Sequence, residues 1–420
     1  MWNAKTKQLV ADGKLVVLGV VQEQHAERAK LYKQWKQYDF PIVQDAFTEI
    51  GMKVVPVPIL VDEYGFVQSS RPSIRGIEAL VSQKADKPDS PASKMHRDQR
   101  HDELTKESSN GEASERVQAE LAVLSSDALL QSGKAKPDSG QSEQMKVDRY
   151  ANSKKAITGY VKAEKYHAKN SRKESLGALY FRMGVAHRMV YDYASDAKKD
   201  PEDFNKAAHY WSKALELNPN QYIWRRRIQQ YGPRQIKPYP FYDWVDQATK
   251  EITARGETPI KLKVPLTESE IAKPSRKFET ATNANPDPKA EITLDDENLV
   301  NFHATVVPAI IKPGQTVRVH LRFAPKAGKW NNESSEMVAW VNESEFGKTN
   351  KTLITFPNAS EETSGETRNL EFEFATSKSA QPNSDGVIEL SGYALFNACK
   401  SDDGQCLYRR KEFKIPISVK

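Results

Sequence analysis

The two cysteines of this 420-residue chain are the residues best suited to chemistry. Cys399 and Cys406 lie within the last 22 residues, and six residues separate them. Asp402, Asp403 and Gly404 form a turn signal between them, so we expect two strand ends to meet there. The thiols would then fall within the ~6 Å Cα separation of a disulfide. The pair can serve as a structural bridge, as an exchangeable redox pair or as two free thiols, and all three interpretations stay open here.

The charged neighbours of these cysteines act in opposite directions. Basic residues next to a thiol favour the thiolate, and acidic residues disfavour it. The basic neighbours are Lys400, Arg409 and Arg410, and the acidic neighbours are Asp402 and Asp403.

Composition excludes several function classes. The net charge is +6, with 62 Lys+Arg against 56 Asp+Glu, and it gives no concentrated basic face for nucleic acid. No apolar run approaches the ~20 residues of a membrane span, and we expect no leader peptide before the polar helix pattern at the N-terminus. The histidines His167, His187 and His209 lack metal-ligand spacing. We therefore predict no metal, no cofactor and no nucleic-acid partner.

Residues 1–83 alternate between helical and strand patterns. The continuous apolar run Leu15–Val21 is typical of a strand buried on both faces of an α/β sheet, and Val54–Val61 is a second run. Asp62–Gly65 is a turn signal, after which Phe66 begins a return strand. Helical patterns cover Ala4–Val10, His25–Tyr38 and Ile74–Val81.

This block resembles a thioredoxin-like domain of the redoxin, TlpA and ResA type. The resemblance rests on Gly13–Val20 and on Val55–Gly65, which is similar to the family's Val-Pro-x-x-ϕ-ϕ-ϕ-Asp-x-x-Gly. It implies a cis-proline at Pro56, with Pro58 as the competing choice. The family's Cys-x-x-Cys opens the first helix, but this block has no cysteine. We expect the motif and the first strand to be missing, through a start upstream of Met1 or through loss of redox function, and an inert packing domain is the plainer interpretation.

Residues 84–149 are predicted to form a disordered linker. No Phe, Trp or Tyr occurs between Val67 and Arg149, so this stretch cannot bury enough apolar area to offset chain entropy. The segment Ala119–Leu130 is compatible with a transient helix that binds a partner.

Residues 150–250 carry helical periodicity over Ser175–Tyr193 and Asp203–Leu217, with flanking helices at Tyr150–Arg172 and Tyr222–Tyr242. The second of these helices resembles a tetratricopeptide repeat. The matching positions are Ala207, Trp211, Ala214 and Pro219. The resemblance implies protein–protein contacts through these helices, although one repeat cannot bury its own faces.

Residues 255–420 are β-rich, with short strands and intervening turn signals that predict an antiparallel sandwich. The predicted strands are Leu299–Val307, Val317–Phe323, Met337–Val341, Thr352–Phe356, Leu370–Ala375, Val387–Phe396 and Lys411–Val419.

This block resembles the N-terminal domain of the thiol:disulfide interchange protein DsbD, which has an immunoglobulin-like fold. The carrying segments are Pro313–Val317, Gly328–Asn332, Gly392–Cys399 and Cys406–Arg410. The resemblance implies that Cys399 and Cys406 pass electrons to a partner disulfide. It also implies a shielding loop, for which Phe346 is the candidate aromatic.

Two function classes remain after these observations. The first is a periplasmic or otherwise extracytoplasmic thiol–disulfide exchange module that acts on a partner thiol–disulfide protein. The second is a non-catalytic interaction scaffold in which Cys399–Cys406 is a structural disulfide. The predicted architecture is multidomain, with a thioredoxin-like fragment, a tetratricopeptide-like helical segment and an all-β immunoglobulin-like sandwich. Fold alone does not choose between the two functions.

Overall fold

The computed structural model is a mixed α/β chain with a helical middle region and a β-rich C-terminal region. It describes residues 2–48, 50–83, 102–106, 115–131, 142–195, 198–281, 283–326, 328–400 and 404–420.

The chain divides into two compact units. Unit 1 comprises Met1–Lys199, Lys213–Arg225 and Trp244–Pro265, and unit 2 comprises Asp200–Ser212, Arg226–Asp243 and Leu266–Lys420. Residues of the predicted helical range 150–250 therefore occur in both units.

Besides a five-residue helical stretch at 102–106, ten α-helices occur among the described residues, and most of the predicted helical patterns correspond to one of these ten. Their bounds are α1 Trp2–Ala11, α2 Ala26–Lys36, α3 Ile74–Ser82, α4 Glu115–Gln131, α5 Ser142–Asn170, α6 Lys173–Tyr193, α7 Glu202–Leu217, α8 Tyr222–Tyr231, α9 Val245–Ala254 and α10 Glu268–Ile271. The predicted helix Tyr222–Tyr242 is shorter than expected, because Gly232 and Pro233 follow α8 and a 3₁₀ turn occupies Arg234–Ile236. No helix in the described ranges is both long and apolar enough to cross a membrane.

Three helical stretches lie inside the predicted linker 84–149, the first of them a five-residue stretch at 102–106. Helix α4 contains the predicted segment Ala119–Leu130, and α5 begins at Ser142. Helix α4 packs against α5, where the Tyr160 hydroxyl donates to the Asp127 carboxylate at 2.5 Å, with both residues buried. Residues 84–101, 107–114 and 132–141 of that predicted linker lie outside the described residues.

The predicted N-terminal strands are much shorter than expected. Only Gly19–Val21 (β1) and Leu60–Val61 (β3) are strand; β1 pairs in parallel with Ile42–Gln44 (β2), and β3 pairs with Val67–Ser69 (β4). The expectation that Leu15–Val21 is buried on both faces is wrong. Its residues alternate between half-buried and exposed. Val16 (77% exposed) and Leu18 (57% exposed) precede β1 and belong to no sheet, and Val20 within the two-stranded sheet is 42% exposed.

A buried charge cluster connects this N-terminal region to α6 within unit 1. His25, at the N-terminus of α2, lies 2.7 Å from a carboxylate oxygen of Asp192, and Arg188 contacts the other at 2.8 Å. Burial by itself raises the pKa of Asp192, but Arg188 and His25 together hold that pKa well below its usual range. The carboxylate therefore stays ionised and orders the entry to α2.

Unit 2 contains two sheets that share one hydrophobic core. Their strands are β5 Val300–Val307, β6 Ile310–Ile311, β7 Thr316–Pro325, β8 Lys329–Asn331, β9 Met337–Val341, β10 Gly347–Thr349, β11 Leu353–Phe356, β12 Thr363–Ser364, β13 Arg368–Thr376, β14 Val387–Cys399 and β15 Cys406–Val419. The four-stranded sheet has the order β10-β13-β7-β5, and the other has the main order β11-β9-β14-β15-β6, with β8 and β12 beside β14.

The core between these sheets explains why the strands form. Strand β7 buries Val317, Val319, Leu321 and Phe323, and β14 buries Leu390 and Phe396 in the same cluster. This is the period-2 pattern of strands that face a core. The pairings are antiparallel except for β6 with β15, so the prediction of a β-rich, largely antiparallel C-terminal region is confirmed.

Candidate functional site: the Cys399–Cys406 hairpin

Strands β14 and β15 form a long hairpin whose tip carries both cysteines. The register runs from Val387 opposite Ser418 to Cys399 opposite Cys406. The two sulfurs form a disulfide, and the Cα atoms are 3.8 Å apart. Of the predicted turn, Asp402 and Asp403 lie outside the described residues, whereas Gly404 has φ +68°, the left-handed region that favours glycine.

The two cysteines of the disulfide differ in solvent exposure. Cys399 is 7% exposed, whereas Cys406 is exposed. Strand β8 accounts for the burial, because Lys329 pairs with Cys399 and the buried Trp330 pairs with Ala398. An incoming thiolate therefore meets Cys406 first.

The approach of β8 is close enough to require glycine at its entry. A Cβ built on Gly328 would lie 1.8 Å from the carbonyl oxygen of Cys399. The indole nitrogen of Trp330 donates to the Glu366 carbonyl at 2.7 Å, and the Arg368 guanidinium stacks over the same ring at 4.5 Å. These contacts hold β8 against the buried cysteine.

Three of the basic residues near the disulfide contact carboxylates. Glu297 lies 2.8 Å from Lys400 and 4.0 Å from Arg409. Arg410 contacts Asp287 at 2.8 Å. The expectation that Lys400, Arg409 and Arg410 promote a thiolate is therefore weakened, since Glu297 and Asp287 offset part of their positive charge.

Strand alternation places two further residues on the same face as the disulfide. Tyr408 pairs with Asn397, and each lies two residues along its strand from a cysteine of the disulfide. Tyr408 is 38% exposed. The Asn397 side chain donates to the backbone and hydroxyl oxygens of Ser335 at 3.1 and 3.0 Å. Burial raises the pKa of Tyr408, and a hydrogen bond with Ser335 partly opposes that rise. No local pattern in the sequence marks Asn397 or Ser335, whereas period-2 counting from Cys406 points to Tyr408.

The shielding aromatic expected at Phe346 is at the wrong end of the sheet. The Phe346 carbonyl accepts a hydrogen bond from the amide of Ser377, which follows the last residue of β13. Trp330, which lies beside the cysteines, donates to the carbonyl of Glu366, just before the first residue of β13. The nine residues of β13 span about 30 Å at ~3.4 Å per residue. Phe346 therefore does not cover the cysteines.

The cis-proline candidate, Pro56, lies in unit 1. The Val55–Pro56 peptide bond is cis, at the position that the thioredoxin resemblance gives. Both cysteines belong to unit 2, so no thiol of this chain lies within unit 1 beside Pro56.

A second cluster of reactive side-chain types in unit 2 is structural. The Lys237 ammonium contacts the hydroxyl of Ser269 at 3.1 Å, a pairing that could activate a nucleophile. Ser269 is 0% exposed and donates to the Gln230 carbonyl at 3.1 Å, so no substrate reaches it. Among the described residues, no group of three His, Cys, Asp or Glu is arranged to hold a metal ion.

Comparison with protein-family models finds no match. Comparison with curated proteins finds none either. Among solved structures, AvmM, which catalyses macrocyclization in alchivemycin A biosynthesis, is 8% identical over 29% of this chain and 89% of its own, with a TM-score of 0.17. The sporulation control protein Spo0M of Bacillus subtilis is 12% identical over 29% of this chain and 49% of its own, with a TM-score of 0.15. Neither likeness extends to most of the chain.

Proposed function

We propose that this protein is a thiol–disulfide exchange module in which Cys399 and Cys406 trade electrons with a partner dithiol protein. The observation that carries the proposal is the exposed Cys406 in a disulfide at a hairpin tip. Exchange needs an accessible sulfur and a leaving thiol that can depart without unfolding the strand. The Cys399–Cys406 disulfide joins the last residue of β14 to the first residue of β15, and this position is compatible with both requirements.

The exchange proceeds in two steps. A partner thiolate attacks the Cys406 sulfur, the Cys399–Cys406 bond breaks, and its electron pair leaves on Cys399 as a thiolate. The partner's second thiolate then attacks the partner's first sulfur, which is bonded to Cys406 in the mixed disulfide. This attack forms the partner's disulfide and releases Cys406 as a thiolate. The partner is oxidised by two electrons, this protein is reduced by two, and the two released thiolates take up protons according to their pKa values. The reverse sequence oxidises this protein.

The surrounding units have supporting roles in this proposal. The β-rich region of unit 2 serves as a DsbD-like immunoglobulin fold, and helices α6 and α7 serve as a tetratricopeptide-like docking element. The N-terminal region of unit 1 serves as a thioredoxin-like domain without its own thiols. Because persistent disulfides belong to oxidising compartments, the proposed location is periplasmic or otherwise extracytoplasmic.

A specific observation favours the second candidate, a non-catalytic scaffold with a structural disulfide. Lys400 and Arg409 share the carboxylate of Glu297, Arg410 contacts Asp287, and Cys399 is buried. Carboxylates in contact with these cations reduce the thiolate character that the cations would give to a nearby thiol. In this alternative the bridge holds the hairpin tip closed, while the helices and sheets provide binding surfaces.

The reduction potential separates the two candidates. The oxidised protein is equilibrated against glutathione and dithiothreitol buffers, and free thiols are counted at each potential. We expect half-reduction above about −300 mV, the range of exchangeable bridges. A potential below that value would identify a structural bridge and make the scaffold the better interpretation.

A further inference from the structure

We infer that the ammonium group of Lys329 stabilises the Cys399 thiolate that leaves when a partner attacks Cys406. This inference rests on the proposed function and names a residue that acts on the leaving sulfur. Lys329 lies on β8, far from either cysteine in sequence, so no local pattern around the cysteines indicates it.

Strand β8 places Lys329 directly beside the disulfide. Lys329 pairs with Cys399 across β8 and β14, and Cys399 pairs with Cys406 across β14 and β15. Residues paired across antiparallel strands point to the same face, with Cβ atoms about 4.5–5.5 Å apart. These three side chains therefore share the face opposite to the one on which Trp330 enters the core. The flexible stem of a lysine brings its ammonium group within reach of the neighbouring sulfur.

The burial of Cys399 creates the need for a cation at this position. Cys399 is 7% exposed, whereas Cys406 is exposed. A thiolate that forms at a buried sulfur loses the hydration that would stabilise its charge, and a nearby positive charge offsets that loss. The side chain of Lys329 is exposed, so its ammonium group keeps contact with water while it faces the sulfur.

Two cations of the hairpin lie away from the disulfide or are shared with a carboxylate. Side chains alternate along β15, so Arg409 points to the face opposite Cys406. Arg409 and Lys400 both contact Glu297, at 4.0 and 2.8 Å. This carboxylate offsets part of the charge that either cation would present to a thiolate.

Lys329 is better placed than the remaining cation on the face of the disulfide. That cation is Arg410, which lies about 13 Å from Cys406 along β15 at ~3.4 Å per residue and contacts Asp287 at 2.8 Å. Within the described parts of the chain, Lys329 has no ion pair with a carboxylate. Tyr408 is the titratable neighbour of Cys406 on the same face of β15.

The turn that follows Cys399 in sequence supplies charges of the opposite sign. Asp402 and Asp403 lie outside the described residues, and as acidic neighbours they disfavour a thiolate. Lys329 therefore acts against them, and its removal should leave their effect unopposed.

Lys329 contributes charge to the exchange and neither an electron nor a proton. The partner thiolate forms a bond to the Cys406 sulfur, the Cys399–Cys406 bond breaks, and its electron pair stays on Cys399. The Lys329 ammonium group offsets the negative charge at that moment, and solvent later supplies the proton that Cys399 takes up. A more acidic leaving thiol departs faster, so Lys329 speeds the opening of the disulfide.

The test measures the acidity of each cysteine in the reduced full-length protein. Rates of alkylation by iodoacetamide are followed from pH 5 to 10 by mass spectrometry. Trypsin cuts after Lys400 and so places the two cysteines on separate peptides. We expect Lys329→Gln to move the midpoint of the Cys399 profile upward by roughly 0.5 to 1 pH unit. Reduction of the oxidised variant by dithiothreitol at pH 7 should be about threefold slower than in the wild type.

Two variants make the result specific to charge at this position. Lys329→Arg keeps the positive charge and should keep the Cys399 profile close to that of the wild type. Lys348→Gln removes an exposed lysine from β10, another three-residue strand, at the far end of β13. This variant should change neither the profile nor the reduction rate.

The outcomes separate this inference from the proposed function. A Cys399 profile that is the same in Lys329→Gln and the wild type overturns the role of Lys329, and so does an equal shift in Lys329→Arg. The reduction potential of the wild type decides the proposed function independently. If that potential is below about −300 mV, exchange with a partner fails as the function, while a shifted profile still assigns the charge of Lys329 to the Cys399 sulfur.

Discussion

The side chain of Lys237, with its ammonium group, is buried. The residue is 4% exposed, and its nitrogen donates to the backbone carbonyl and the hydroxyl of Ser269. Burial, with the Arg318 guanidinium as the next contributor, lowers the pKa of Lys237 to about 7. Three carboxylates oppose this decrease: Glu371, Glu373 and Glu270. The folded protein therefore releases a proton near neutral pH that the unfolded chain keeps to about pH 10.5.

This buried lysine should make stability depend on pH. Between pH 7 and 10.5 the unfolded state binds more protons, so the free energy of unfolding rises with pH, and below pH 7 the full penalty applies. We expect Lys237→Met to flatten that rise and to gain roughly 1–3 kcal/mol over the wild type at pH 6. Denaturant unfolding at pH 6, 8 and 10 measures the slope.

The matched control is Lys289→Met, since the Lys289 side chain is 79% exposed and should leave the slope unchanged. Equal slopes for Lys237→Met and the wild type would mean that Lys237 stays charged in the folded protein.

Strand β8 is a three-residue element with a large effect on the hairpin. It pairs with the end of β14 on one side and with β12 on the other, and it places Trp330 in the shared core. Its position depends on Gly328, where the chain passes directly over the Cys399 carbonyl. The burial of Cys399 is therefore a property of β8 as much as of β14.

Substitution of Gly328 should separate β8 from the hairpin. The Cβ of Gly328→Ala would lie 1.8 Å from the Cys399 oxygen, and that oxygen belongs to backbone, which cannot rotate away. We expect a loss of about 2 kcal/mol or more in unfolding free energy and faster reduction of the disulfide by dithiothreitol. Denaturant unfolding and thiol counting measure the two effects.

Gly365→Ala is the paired comparison, because no atom lies within 4 Å of its added Cβ. If both alanine variants lose the same stability, the cost comes from the glycine backbone and not from the β8 contact.

The two units bury their strands to very different extents. In unit 1, β1 and β2 form three parallel pairs, and Val20 and Val43 within them are exposed. In unit 2, the β14–β15 hairpin runs through thirteen paired positions and faces a core that includes Phe396 and Ile415. A short parallel strand pair with an uncovered face buries little apolar area and is therefore weakly stabilised.

This difference should appear in native-state hydrogen exchange. We expect amides of Gly19–Val21 and Ile42–Gln44 to exchange at least about tenfold faster than those in the middle of β14 and β15, since opening them exposes little new apolar surface. Mass spectrometry of the exchanged full-length protein resolves both regions. Equal protection would indicate that the β1–β2 face is covered in solution.

Local patterns determined the type of most elements. The predicted strand Met337–Val341 matches β9, and the predicted helices Ser175–Tyr193 and Asp203–Leu217 lie within α6 and α7. Period and turn chemistry act over a few residues, so the sequence carries them directly. The same reasoning placed Cys399 and Cys406 at facing strand ends, where the structure joins them.

Only the tertiary structure decided the environment of those cysteines. Glu297, Asp287 and Trp330 reach the hairpin from segments far away in sequence, and no local pattern indicates which cation each carboxylate neutralises. Phe346 lies at the opposite end of β13 for the same reason, because strand order and register determine which ends meet. The apolar run Leu15–Val21 likewise looks buried by its composition, but burial depends on whether another element covers each face, and pairing partners determine that.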